Sequence, residues 1–214
     1  MKLYAHPFSS YSQKVLIALY ENGTPFEYRN LEDAAANAEL ASLWPLKRFP
    51  VLVDRQRTIL ETSSIIEHLQ IHYPGPSCLI PEGDAGVAVR MFDRVFDNYV
   101  MTPMQKIVLD HLRGEADRDP YGVTEARALL DGIYTWLDTH LADRAWAAGA
   151  AFTLADCAAA PSLFYADWVR EIPPRHANLR AYRARLLARA SVARAVDEGR
   201  PFRGYFPPGA PDRD

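Results

Sequence analysis

Cysteine is scarce in this 214-residue chain: Cys78 and Cys157 are its only two, and they form no CxxC pair. A disulfide scaffold and a cysteine zinc site are excluded on that ground, and a reducing, cytoplasmic setting is expected. Nowhere do about eighteen apolar residues run together, as a membrane span would need. The opening MKLYAHPFSS has one lysine and no continuous apolar stretch behind it, so neither export nor a membrane partner is expected. An excess of one charge is missing as well. Formal net charge is −3, with seven basic against eight acidic residues over 1–75 and seventeen against nineteen beyond. Nucleic acid is bound largely by neutralising phosphates, and so balanced a chain gives no reason to expect that partner. The densest basic stretch, Arg175 to Arg203, interleaves Leu179, Tyr182, Leu186 and Ala190 at helical spacing and reads as a solvated helix face.

What is present is an ordinary globular composition, 49% apolar and 24% charged, long enough for one large or two small domains. The first 75 residues alternate short β-rich runs with helical ones: Lys2 to Ala5, then a helix from about Tyr11 stopped at Asn22-Gly23, then Phe26 to Asn30. A helix over Asp33 to Leu43 follows, and the runs Pro50 to Asp54 and Thr58 to Leu60 have hairpin spacing. Thr62 or Ser63 is expected to cap a further helix that stops at Tyr73-Pro74. The order predicts a mixed four-stranded sheet with helices on both faces, an α/β arrangement of thioredoxin type, over residues 1–75. Proline and glycine crowd residues 76–86, a linker. Residues 87–214 show only helical patterns, from Val87 to Leu112 and onward, so the second domain is expected to be all-α.

Four stretches carry candidate chemistry. His6-Pro7-Phe8-Ser9-Ser10-Tyr11-Ser12 sets hydroxyls at a helix start, where unpaired N–H groups attract anions; simple capping is the alternative. Lys47-Arg48-Phe49-Pro50 enters a strand through an X-Pro bond, which if cis would offer the Phe49 backbone to a peptide-like ligand. Glu61-Thr62-Ser63-Ser64 puts a carboxylate and hydroxyls at a helix start, either as a dipole-complementing turn or as a holder for an amino acid's ammonium and carboxylate. Thr153-Leu154-Ala155-Asp156 is a capping-box pattern heading an alanine-rich helix, assigned to folding, with the helix central in its domain. His68 and His72 lie one helical turn apart, but no third residue has ligand spacing, so no metal is expected.

In order and spacing, the blocks YAHPFSSYSQKVLIALYENG, PLKRFPVLVD, ILETSSIIEHL and AFTLADCAAAPSLF resemble the cytosolic glutathione transferases over nearly the whole chain. The resemblance implies a thioredoxin-like domain, a helical domain and a homodimer. It implies glutathione as co-substrate, with no other cofactor, and a small, mostly apolar electrophile. Ser9 or Ser10 then stands where a hydroxyl or thiol meets the glutathione sulfur: a theta-like or beta-like alignment favours Ser10, a zeta-like one Ser9. Tyr11 departs from the zeta-like cysteine. Arg48 matches the basic residue near the glycine end, Phe49 the residue whose backbone pairs with the cysteinyl part, Pro50 the cis-proline, and Glu61 with Thr62 the pair holding the γ-glutamyl group. A thiol of pKa near 8.5 is mostly protonated at neutral pH, and lowering it by about two units corresponds to about 2.7 kcal/mol of preferential thiolate binding. The serine would donate a hydrogen bond to sulfur, with Phe8, Tyr11, Tyr99, Met104 or Trp168 lining the electrophile's side. A noncatalytic partner-binding protein of the same fold and a glutathione-dependent isomerase are the alternatives.

Overall fold

The computed structural model describes residues 1–214. Strand β1 (Lys2–Ala5) is followed by α1 (Ser10–Glu21), β2 (Glu27–Asn30), α2 (Ala34–Leu43), β3 (Val51–Asp54), β4 (Arg57–Ile59) and α3 (Thr62–His72). The four strands form one mixed sheet in the order β2-β1-β3-β4. β2 lies parallel to β1, with Leu3 opposite Tyr28, while β3 is antiparallel to both β1 and β4. The expected thioredoxin-type order is therefore the observed one. α1 is almost entirely buried because apolar residues from Val15 to Leu19 cover its whole circumference, sealed on one side by the sheet and on the other by the helical domain.

One expected cap differs. Glu61, not Thr62 or Ser63, is the N-cap of α3; its φ of 64° turns the chain sharply, and both hydroxyl residues fall inside the helix. The Phe49-Pro50 bond is cis.

Beyond Tyr73 the chain is helical: α4 (Gly83–Phe96), α5 (Thr102–Asp110), α6 (Pro120–His140), α7 (Leu154–Val169), α8 (Ala177–Leu187) and α9 (Ala190–Gly199). The single helix expected from Val87 to Leu112 starts earlier and is interrupted by a π-helical turn over Asp97–Met101. Pro103 explains the break: it has no N–H to give the preceding turn, and the wider turn absorbs the missing bond. α7 is the central helix, buried from Leu154 to Asp167. Its start is the expected box, with both Thr153–Asp156 bonds made.

The arginine-rich stretch is less solvated than its spacing suggests. Arg183 pairs with Asp167, Arg189 with Glu21 and Arg194 with Glu198. The first two join α8 to α7 and the start of α9 to α1, so those guanidinium groups stitch helices together, whereas Arg194 and Glu198 pair one turn apart within α9. The tail continues the pattern: Arg200 and Arg203 grip Asp214, and Arg213 grips Asp167.

Candidate functional site

A cleft of about 870 Å³ runs between the end of the sheet and helix α4 with its π turn. Ser9, Arg48, Phe49, Pro50, Glu61 and Thr62 line it together. Ser10 does not line the cleft and is only 8% exposed. Six of the seven candidate residues thus converge from three separate loops.

Each arrives for a local reason. Ser9 caps α1 in extended conformation, its Oγ accepting from the Ser12 N–H at 3.3 Å. That bond uses the oxygen as acceptor and leaves the Ser9 O–H free to donate. Neither the N–H nor the carbonyl of Phe49 has a hydrogen-bond partner within the chain. Arg48 is exposed and makes no ion pair. At the start of α3, Glu61 makes no side-chain cap, and the N–H groups of Thr62, Ser63 and Ser64 have no acceptor within the chain. Those three N–H groups and the helix dipole form a seat for a carboxylate, with the Glu61 carboxylate beside it suited to an ammonium.

At the floor of the cleft lies an ionic cluster centred on a buried lysine, which none of the four candidate sequence motifs contains. Lys14, fully buried in α1, binds Asp93 at 2.6 Å and Asp97 at 2.7 Å. Ser63 Oγ donates to Asp93 at 2.6 Å, and Arg94 reaches both Ser63 and Asp93 at 3.0 Å. Two residues of the sheet domain and three of the helical domain are thereby fastened below the start of α3. Removing one buried charge from such a set strands the others at a cost of several kcal/mol. The only sequence signals are local, Lys14 amid apolar residues and Asp93 four residues before Asp97, and neither pairs the two regions. Burial raises the Asp97 carboxyl above its ordinary value, although Lys14 opposes the shift.

Tyr11 lines the cleft, and burial, with Asp97 and Glu61 adding to it, pushes its phenol up to about 12. It is a neutral O–H donor at neutral pH, not a base. Trp44, Leu46 and Leu60 supply further apolar wall, while the helical domain contributes only Arg94, Asp97, Asn98 and Gln105. The other aromatic and methionine candidates lie elsewhere. Met104 is 3% exposed in the core, where α5 packs on α6 and α7, and Phe8 and Trp168 line a separate, nearly filled gap beside Tyr165. Tyr99, within the π turn, is exposed and does not line the cleft. His68 directs Nε2 to Asp54 at 3.0 Å, and no cluster of three potential metal ligands occurs.

A thioredoxin-like sheet domain followed by a helical domain, with a polar cleft between them, is the architecture of the glutathione-transferase fold. The comparisons identify the family. Residues 3–77 match the glutathione S-transferase N-terminal domain and residues 111–185 the glutathione S-transferase C-terminal domain. The chain belongs to the glutathione S-transferase family, whose members use glutathione as co-substrate or ligand. It is 30% identical to FtsZ-localized protein A of Caulobacter vibrioides over 80% of this chain and 79% of the relative. It is 26% identical to a stringent starvation protein A homolog of Coxiella burnetii, covering 92% of each. Among solved structures, a glutathione S-transferase of Methylobacterium radiotolerans in complex with glutathione sulfonate is 30% identical, with a TM-score of 0.78 over 91% of this chain and 93% of that one.

Proposed function

We propose that this protein is a glutathione transferase that holds the tripeptide along the cleft, keeps its sulfur ionised beside Ser9 and joins it to a small electrophile. The observation that carries the reading is the match between the cleft's unpaired groups and the ligand's own. Glutathione has one ammonium, two carboxylates, two amides and a thiol. Glu61 answers the ammonium, the free N–H groups from Thr62 onward the neighbouring carboxylate, the Phe49 backbone the cysteinyl amide, and Arg48 the glycine carboxylate. The cis Pro50 turn supports the Phe49 part of this pairing. The free Ser9 O–H then faces sulfur, helped by the unpaired N–H groups at the start of α1. Ser10, outside the cleft, is the alternative donor. The electrophile's apolar part rests against Tyr11, Trp44 and Leu46, and its polar part faces Asn98 and Gln105.

The wider setting we propose is a cytoplasmic homodimer. Both cysteines are free, and no helix is long and apolar enough to cross a membrane. Ile71 on α3 and Val87 and Met91 on α4, 71%, 65% and 50% exposed, are the apolar surface for pairing, which sedimentation tests.

Calorimetric titration with glutathione followed by a conjugation assay with aryl-halide and unsaturated-carbonyl electrophiles tests the reading. Saturable binding and conjugation faster than in buffer are expected; absent binding would refute it. The names of the Caulobacter and Coxiella relatives favour a second reading, a partner-binding protein on the same fold, for which tight glutathione binding without conjugation of either electrophile class is the expected result.

A further inference from the structure

The loop that presents Ser9 has every backbone hydrogen-bonding group satisfied. The His6 N–H donates to Ser12 Oγ at 3.3 Å, and the His6 carbonyl accepts from the Ser9 N–H at 3.0 Å. Pro7 has no N–H, and its carbonyl accepts from Gln13 Nε2 at 2.9 Å. The Phe8 N–H donates to His6 Nδ1 at 3.1 Å, which assigns the ring proton of a neutral His6 to Nε2, facing Glu32 at 2.9 Å. The Ser9 carbonyl accepts from the Gln13 N–H at 2.9 Å. The one remaining group, the Phe8 carbonyl, accepts from the Tyr165 hydroxyl at 2.8 Å.

Tyr165 is the only member of this set that comes from the helical domain. It is 3% exposed in α7, held edge-on by Phe8 and Trp168, and its oxygen also accepts from Gln13 Nε2 at 3.2 Å. Gln13, 2% exposed, therefore bridges the Pro7 carbonyl and the Tyr165 hydroxyl. Burial keeps that phenol neutral and so a permanent donor. A chain of three hydrogen bonds runs from α7 to the peptide units immediately before Ser9, behind the cleft and out of reach of any ligand in it.

We infer that Tyr165, with Gln13, is a positioning residue for the thiol chemistry: the helical domain sets where the Ser9 hydroxyl points by fixing the Pro7 and Phe8 carbonyls. This rests on the proposed glutathione reading, since it concerns the geometry of the hydroxyl that reading assigns to sulfur. A hydrogen bond donated to a thiolate weakens steeply when distance or angle is lost. Freeing one carbonyl of the loop lets the peptide rotate toward another donor, because a buried acceptor left unpaired is costly.

The test is a spectrophotometric titration of the bound glutathione thiol in the native protein and in the Tyr165→Phe, Ser9→Ala and doubly substituted proteins. Tyr165→Phe keeps the ring and its packing. It is expected to raise the bound-thiol pKa by about one unit, from about 6.5 to about 7.5, which cuts the thiolate fraction at about pH 7 about threefold, with glutathione affinity changed less than about threefold. In the Ser9→Ala background the same substitution should leave the thiol pKa where it is, because its effect passes through that hydroxyl. A purely structural tyrosine would lower the melting temperature without this dependence. An unchanged thiol pKa in Tyr165→Phe, or an equal shift with Ser9 absent, overturns the inference and leaves the glutathione reading standing. A native complex whose thiol titrates as in free glutathione overturns both. Gln13→Met, which removes the other end of the chain, serves if Tyr165→Phe does not fold, with the same expected and contrary results.

Discussion

Two helices of this protein begin with a carboxylate and hydroxyls, and they begin in opposite ways. At α7 the start is closed: Asp156 Oδ2 accepts from the Thr153 N–H at 2.8 Å, while Oδ1 takes the Ala147 N–H at 2.9 Å and the Tyr182 hydroxyl at 2.6 Å. Even the Leu154 N–H is used, by the Leu79 carbonyl. At α3 the carboxylate of Glu61 caps nothing, three N–H groups are unpaired, and the backbone holds a φ of 64° in a residue with a side chain. The first arrangement spends its polar groups on the fold. The second leaves them without partners in the chain and carries conformational strain of about 1–3 kcal/mol. Acidic residues at a helix start identify neither role; whether their partners lie within the chain does.

The largest expected effect breaks the closed start. Asp156→Ala leaves the Thr153 and Ala147 N–H groups and the Tyr182 hydroxyl unpaired in a site with no solvent access, and should cost about 3–5 kcal/mol in denaturant unfolding. Glutathione affinity measured on the folded fraction should be unchanged, because α7 begins away from the cleft. The open start should respond in the reverse sense. Glu61→Gly removes the side chain from a backbone conformation that glycine tolerates, so stability should hold or rise by up to about 1 kcal/mol while glutathione affinity falls about tenfold. A loss of stability comparable to that of Asp156→Ala would erase the contrast.

A smaller effect comes from α1, whose two ends repeat the comparison. Its start presents Ser9 to the cleft, whereas Glu21 at its end is consumed by Arg189, by Ser191 at 2.8 Å and by Ser77 at 3.1 Å. Burial alone would raise the Glu21 carboxyl, but hydrogen bonds from Arg189, Ser191 and Ser77 and the Arg189 charge outweigh it and hold it below the ordinary value. A lowered acid contributes stability above its unfolded pKa and loses it as pH falls through the folded one. Glu21→Gln should therefore lower the unfolding free energy near neutrality and flatten its decline below about pH 4.3, the ordinary glutamate value, so that the two proteins converge in acid.

Much of this was legible in the sequence because the signals were local. The strands, α1, α2 and the Thr153 box are dictated by residue alternation, capping chemistry and Asn22-Gly23. The convergence of Ser9, Arg48, Phe49 and Glu61 was legible only through the order and spacing of whole blocks, since no single loop specifies it. Three features were not legible. Which of Ser9 and Ser10 lines the cleft depends on one residue of helix phase: Ser9 caps α1 and lines it, and Ser10 falls inside the helix. The π turn over Asp97–Met101, which holds Tyr99 and precedes Met104, has no signature in apolar periodicity. The Lys14 cluster joins residues about 80 positions apart in sequence, and a buried lysine is intelligible only once both aspartates are beside it.

The central claim is that glutathione bound at the two open helix starts has its sulfur held as thiolate by the Ser9 hydroxyl. Ultraviolet titration of that thiol in the native, Ser9→Ala and Ser10→Ala proteins tests it most directly. The account predicts a pKa about two units below that of free glutathione in the native and Ser10→Ala complexes, returning toward the free value in Ser9→Ala. A native complex whose thiol titrates like free glutathione, or a lowered pKa that survives the loss of Ser9, would contradict it.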